Sequence, residues 1–381
     1  MDITRELKRR FCKNCNIPIN LFEEPYFTNR LQLLDKQYNT MAKYSRFLDS
    51  IKSFKTEQEY YEHYNGVKDA AISFIKSSPE YNCFNNVDLS ELDDMCRRYP
   101  ITSNSIYKPS FDRMRFISID MKHANFNAIR HFSPAIFGNA DTWESFMRKF
   151  TDDQHIIESK YVRQVILGNC NPKRHIGYER MLMYRLFLFL VDLIENDIVS
   201  FSNDEIIIRD NGKLSDIKKR VQQYEKESSL EFKVETFKLY NLGDEVGYMK
   251  IYDDMSYKLK CVDNDYIHMI IRYMERGEIL NEDLFFYYKH TPAMFDEVPK
   301  CIRDSKPLQC YHAYLVKQVL IKKLKNFFGM SDEEGTYFYN LTRCKSAFGL
   351  GTMSIDDFEE ITDEQIDELA TYVLEMEDYL L

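Results

Sequence analysis

The chain has no apolar run longer than Leu186 to Val191, far short of the ~20 residues that a membrane-crossing helix needs. No N-terminal stretch joins a basic end to an apolar core, so no secretory leader is expected. Only 12 Gly and 10 Pro occur in 381 residues, which argues against long flexible linkers. The nine cysteines, an odd number at irregular spacing, do not make a disulfide framework and suit a reducing compartment. Cys12 and Cys15 form one CxxC, but no second pair follows at zinc-motif spacing, so structural thiols are expected. Together these absences imply an intracellular, cytoplasmic chain without membrane contact.

Aromatic residues are abundant instead, with 27 Tyr and 27 Phe beside a single Trp. Hydrophobic residues at 44% and charged residues at 29% describe a globular chain with a sizeable core, long enough for two or three subdomains. The net charge of −10 is concentrated in residues 354–381, which hold eleven Asp or Glu and no Lys or Arg. Without that stretch the charge is about +1. The acidic end reads as a solvated helix, capped by Thr362 with Gln365, or as a docking surface for a protein partner. Basic residues cluster at Lys160, Arg163, Lys173 and Arg174, at Lys218, Lys219 and Arg220, and at Lys322, Lys323 and Lys325. Each cluster alone reads as a solvated helix face, and each is also a candidate phosphate contact.

Residues 1–108 read as helical, with Phe47, Leu48, Ile51 and Phe54 at helical spacing and a Thr56–Glu59 capping box before a helix towards Ile75. From 116 to 209 strand and helix alternate. Strand candidates are 116–119, the hairpin 198–210, then 231–239, 247–252 and 257–262. Helices are expected over 124–132, 158–167, 176–195 and 214–227, and the remainder is chiefly helical. The fold class is α+β.

FISIDMKHANFNAIRHF, residues 116 to 132, ends an apolar strand on Asp120 and turns at once into a helical stretch. Alone, Asp120 reads as a helix cap. SFSNDEIIIRD sets Asp204 and Glu205 at a hairpin tip, which alone reads as a solvated turn. Adjacent strands lie about 4.8 Å apart, so the two acidic ends can converge on a shared pair of divalent ions. Such a pair, about 3.5–4 Å apart, activates an attacking oxygen and stabilises a leaving one in phosphoryl transfer. Carboxylates suit Mg²⁺, with Mn²⁺ as a substitute. Between the acids, SKYVRQVILGNCNPKR brings Lys160, Arg163, Lys173 and Arg174, cations able to neutralise a triphosphate.

In this order the three stretches resemble the palm of a nucleic-acid polymerase, most of all family A DNA polymerases and single-subunit RNA polymerases. FISIDMKHANFNAIRHF resembles their motif A, and SFSNDEIIIRD their motif C, with Asn203 where a histidine usually stands. KYVRQVILGNCNPKR is similar to the motif B helix, with Arg163 in place of its lysine and without its Tyr-Gly. The D-x-x-x-A-x-F form of Asp120 to Phe126 and the short spacing from B to C are also similar to reverse transcriptases, whose YxDD is absent.

The resemblance covers about 100 residues, roughly a quarter of the chain. It implies a compact, phage- or virus-encoded nucleotidyltransferase that takes a nucleic-acid template or primer and nucleoside triphosphates. Asp120, Asp204 and Glu205 would be catalytic, with Asp120 and Asp204 on two Mg²⁺ ions. Lys160, Arg163, Lys173 and Arg174 would hold phosphate, and Asn125 would meet the ribose. The expected layout is an N-terminal helical region (1–108), a palm with a short fingers-like insertion (109–228), a β-rich part (229–290) and a helical C-terminal region (291–381). Within the β-rich part, Lys250, Lys258 and Lys260 lie on a hairpin placed to grip a template–primer duplex. A metal-dependent nuclease using the same carboxylates, and a non-catalytic nucleic-acid-binding scaffold, are the competing expectations.

Overall fold

The computed structural model describes residues 3–101, 104–243, 246–288 and 291–328, the last stretch with backbone alone at 317 and 319–328. The acidic stretch 354–381 and the Thr362–Gln365 cap lie outside the described residues, as do the side chains of Lys322, Lys323 and Lys325.

The fold is α+β. Its sheet comprises β1 (Arg115–Met121), β2 (Ile198–Phe201), β3 (Glu205–Arg209), β4 (Phe232–Gly243), β5 (Gly247–Tyr252) and β6 (Tyr257–Lys260), in the order β2-β3-β1-β4-β5-β6. β1 lies antiparallel between β3 and β4, and β2 and β3 form the expected hairpin. Helices Ala124–Phe132, Lys160–Gly168 and Pro172–Ile194 intervene between β1 and β2, and Leu214–Ser228 between β3 and β4. The first four strands and their connecting helices therefore follow the split β-α-β-β-α-β order.

Strand residues alternate between the two faces of a sheet, and this decides which side of β1 carries Asp120. Ile117 and Ile119 on β1 share a buried face with Ile206 and Ile208 on β3. Phe201, opposite Ile206, stacks on Tyr184 of helix Pro172–Ile194 with ring centroids 4.6 Å apart, so the helices cover this side. Each such isoleucine contributes about 1.5–3 kcal/mol by leaving water. Ser118 and Asp120 point to the opposite face.

Local signals set the helix ends, and in one place they split an expected helix in two. His123, in the left-handed region at φ 47°, is the N-cap of Ala124–Phe132; Asp120 lies inside β1 and caps nothing. The expected helix over 158–167 is two helices, because Ser159 ends Gln154–Glu158 and caps Lys160–Gly168 by accepting the Val162 N–H at 3.1 Å. Thr56 caps Glu57–Ser77 through Glu59 N–H, yet the Glu59 carboxylate takes the Lys55 N–H at 2.8 Å, so the box closes one residue early.

Chain contacts divide the molecule into two compact units. One holds Met1–Ile17, Met41–Leu239 and Lys250–Lys258; the other holds Pro18–Thr40, Tyr240–Met249 and the chain from Leu259. The first unit contains β1, β2, β3 and the acids that end them. In the second, helices Asn264–Arg276 and Lys306–Phe328 pack together, and β7 (Phe285–Tyr288) pairs with β8 (Thr291–Met294). That hairpin falls where the sequence reads as chiefly helical; its FFYY run is β-prone, and cross-strand pairing wins. Among the described residues no helix is long and apolar enough to cross a membrane.

Candidate catalytic site

The strand register brings the acids together. Asp120 stands directly opposite Glu205 on β3 and Lys233 on β4. The Met121 N–H donates to the Asp204 carbonyl at 2.8 Å, which pins the hairpin tip to the end of β1. Ser202 shapes that tip: its Oγ accepts the Glu205 N–H at 3.0 Å and donates to Asp204 Oδ1 at 3.0 Å. Asp204 is exposed, while Asp120 and Glu205 are half-buried.

Glu205 is already engaged. Ser118 Oγ, two residues along the same face from Asp120, donates to Glu205 Oε1 at 2.5 Å. Lys250 Nζ lies 3.9 Å from the same oxygen and 4.1 Å from the centre of the Phe237 ring. Lys250 is only 4% exposed, so a duplex grip through this lysine is corrected: its ammonium is held inside by the carboxylate and the ring face. Lys258 remains the cation facing Asp120.

Asp120 bears the cost of the crowding. Burial, then the charges of Glu205 and Asp204, push its carboxyl up to about 6; Lys258 opposes them and Glu235 adds to them. Glu179, 8% exposed on helix Pro172–Ile194, is pushed up to about 8 by burial and then by Asp204. Asp120, Asp204, Glu205 and Glu235 thus act on one place in the first unit, Glu179 touches it only through Asp204, and Lys233 pairs with Glu235 at 2.5 Å. Neighbouring negative charge raises the two carboxyls that are also buried, Asp120 and Glu179, and a cation bound there would relieve them.

The expected phosphate residues separate into different roles. Arg163 is 8% exposed, and its Nε lacks any hydrogen-bond partner among the described residues. Its charge is felt at His123, three residues beyond Asp120, and is offset at a distance by Glu144. A buried guanidinium without a carboxylate at hand is costly to fold and suited to an incoming anion. Lys160 and Lys173 are exposed at the starts of their helices. Arg174 differs: its guanidinium donates to the Val87 carbonyl at 2.8 Å, a structural contact.

Asn125 is half-buried, whereas Phe126 sits in the core at 4.6 Å from Phe137 and 6.0 Å from Trp143 between ring centres. Asn125 is therefore the residue of the pair available to a ligand. Of the CxxC, Cys12 is buried, and Cys15 Sγ lies 4.0 Å from His155 Nδ1.

Among the described residues no three His, Cys, Asp or Glu side chains are gathered as a metal site. Mg²⁺ does not need such a cage; it takes one or two carboxylates and completes its shell with water and substrate phosphate. Asp120 and Asp204, two carboxylates at adjoining strand ends with no salt bridge to a described cation, fit that requirement. Glu205, held by the Ser118 hydroxyl and near the Lys250 ammonium, fits a positioning role better than a ligand role.

Several members of this site are not singled out by the sequence motifs. Ser118 is recoverable from the two-residue alternation of β1. Glu179 shows as an acid entering the apolar run MLMYRLFLFL, a misfit worth noticing. Glu235 and the burial of Lys250 carry no local signal, because only the pairing of β4 and β5 places them. No family model, no curated protein and no solved structure matches this chain.

Proposed function

We propose that the protein is a nucleotidyltransferase, a nucleic-acid polymerase that joins a nucleoside triphosphate to a 3′-hydroxyl. The observation that carries this reading is the meeting of Asp120 with the Asp204–Glu205 tip: the register sets Asp120 opposite Glu205, the Met121 N–H holds the Asp204 carbonyl, and the charges of both acids help push the Asp120 carboxyl up. A split β-α-β-β-α-β sheet bearing an acid at the end of its first strand and another at the following hairpin agrees with the three motifs read in order.

Two divalent ions, when bound, supply charge at the attacking and leaving oxygens. Asp120 and Asp204 would hold them, and the carboxyl of Asp120 would lose its proton as they bind. Arg163 would bind the triphosphate with a guanidinium that no described carboxylate satisfies. Lys160 and Lys173 would add mobile positive charge at the rim. Ser118 and Lys250 fix Glu205, which keeps the floor of the site rigid during transfer.

A labelled primer on a template, incubated with Mg²⁺ and either ribo- or deoxynucleoside triphosphates, tests the reading. A lengthened strand that is lost in Asp120→Asn supports it. A shortened strand assigns the same carboxylates to a nuclease, and an unchanged one leaves only a binding role.

A further inference from the structure

Away from the acids, three helices of the first unit bring cations and tyrosines together. Arg10 lies over the rings of Tyr61 and Tyr64, at 5.4 and 5.3 Å from their centres. Lys68 Nζ lies 5.0 Å from the centre of Tyr64, and Lys13 Nζ 4.7 Å from that of Tyr161. Helix Lys160–Gly168, which carries Tyr161, packs against both Arg5–Cys15 and Glu57–Ser77. Arg10, Lys13 and Lys68 all act on the Tyr161 hydroxyl, so the three charges converge on one place. None of them forms a salt bridge with a described carboxylate: Glu6 pairs with Arg9 at 2.7 Å, Glu57 accepts from Thr4 at 2.7 Å, and Asp69 acts on Lys68 only at a distance.

We infer that this face is a track for single-stranded nucleic acid, with Arg10, Lys13 and Lys68 on its phosphates and Tyr61 and Tyr161 against its bases. Cations that track a backbone, interleaved with aromatic faces, are how proteins hold a single strand without reading its sequence. Tyr64 is buried and donates to Asn14 Oδ1 at 3.0 Å, so it supports the track from beneath. Tyr61 and Tyr161 are half-exposed, as a stacking platform must be. Tyr161 and Arg163 sit two positions apart on one helix, roughly 200° around its axis. One side of that helix thus faces the track while another carries the proposed triphosphate contact. Naming the bound strand as template or primer rests on the proposed polymerase activity; the binding itself does not.

The test uses the full chain and fluorescence anisotropy with labelled twelve-nucleotide oligo-dT and oligo-U across a salt series. Three phosphate contacts predict a slope of about −2 in log affinity against log salt, at roughly −0.7 per contact on a single strand. Arg10→Gln/Lys13→Gln/Lys68→Gln should weaken binding about tenfold or more at low salt and flatten that slope. Tyr161→Ala should weaken it about fivefold or more with the slope kept. Lys13→Gln alone, at an exposed position, serves where the triple variant melts early. Asp120→Asn should bind as the parent does, which separates this track from the catalytic reading. Patch variants that bind like the parent, a parent that binds neither oligonucleotide, or a duplex of equal length that competes equally would each overturn the track. So would binding confined to DNA or to RNA, since neither phosphate contact nor stacking reads the 2′-hydroxyl.

Discussion

Each of the two units holds a cluster of polar side chains, and the two clusters are built on opposite principles. In the second unit, Arg272 binds Asp283 through Nε at 3.0 Å and reaches Glu282 at 3.3 Å. Asp283 also accepts the Leu280 N–H at 3.0 Å, and Asn29 donates to Glu282 at 3.0 Å. Arg30 donates to the Phe285 carbonyl and lies 3.0 Å from His268 Nε2, while burial and that arginine push His268 down to about 3. Arg272 there meets two carboxylates, although burial still pushes the Asp283 carboxyl up and His268 Nδ1 has no hydrogen-bond partner among the described residues. In the first unit, acid meets acid, and Asp120 and Glu179 are pushed towards the protonated form. A satisfied buried network fixes a fold, whereas a cluster left in repulsion marks a place where a ligand completes the balance.

Exchanging the effects of the two clusters is the strongest way to break this contrast. Asp120→Ala or Asp204→Ala should cut nucleotide transfer by about 10³-fold or more, since several kcal/mol of metal-borne stabilisation is lost. Their thermal stability should hold or rise, because repulsion is relieved. Asp283→Ala should do the reverse, costing about 1.5–3 kcal/mol in chemical denaturation by leaving Arg272 with Glu282 alone. An active Asp204→Ala protein, or an Asp283→Ala protein as stable as the parent, would erase the distinction.

Arg163→Ala should raise KM for nucleotide by the ~1.5–3 kcal/mol of a charge-assisted contact. Lys173→Ala should act in the same direction and less strongly, being exposed. Arg174→Ala should leave KM alone and show only in stability, since its partner is the Val87 carbonyl. Steady-state kinetics on the three variants sorts these roles.

The next effect is a pH profile. Glu179 ionises near 4.5 when unfolded and near 8 when folded, so the folded state holds the extra proton between those values. Stability therefore falls as pH rises from about 4.5 to 8, and Asp120 adds a fall between about 3.8 and 6. Glu179→Gln should flatten the upper part of that decline and raise the melting temperature at pH 8 relative to pH 5. A slope unchanged by the substitution would place the titration elsewhere.

The smallest effect concerns sugar choice. With Phe126 in the core, Asn125 is left to meet the ribose, and Asn125→Tyr should shift preference towards deoxynucleotides by about 1 kcal/mol. Competition between matched ribo- and deoxynucleotides measures it.

What was legible in the sequence follows from what local chemistry encodes. β1 and helix Ala124–Phe132 were readable because an apolar run and a helical period meet at a polar break. The 198–210 hairpin was readable because two isoleucine-rich strands flank a polar turn. Asp120, Asp204 and Arg163 stand out as candidates because each sits at an element's end or in a spaced motif. The tertiary part was not readable. Nothing near Lys250 says that its ammonium is buried against Glu205, since the pairing of distant strands decides it. Arg174 and Arg163 look alike in sequence, yet one holds a carbonyl and the other is left without a partner.

The central claim is that the acid cluster of the first unit is completed by a divalent cation. Titration with Mn²⁺, followed by electron paramagnetic resonance of the free ion, addresses it without any nucleic acid. The parent should sequester Mn²⁺ at pH 8 and much less at pH 5.5, where Asp120 is protonated, and Asp120→Asn should bind little at either pH. Equal signals for free Mn²⁺ with and without protein at pH 8, or binding untouched by Asp120→Asn, would contradict the claim.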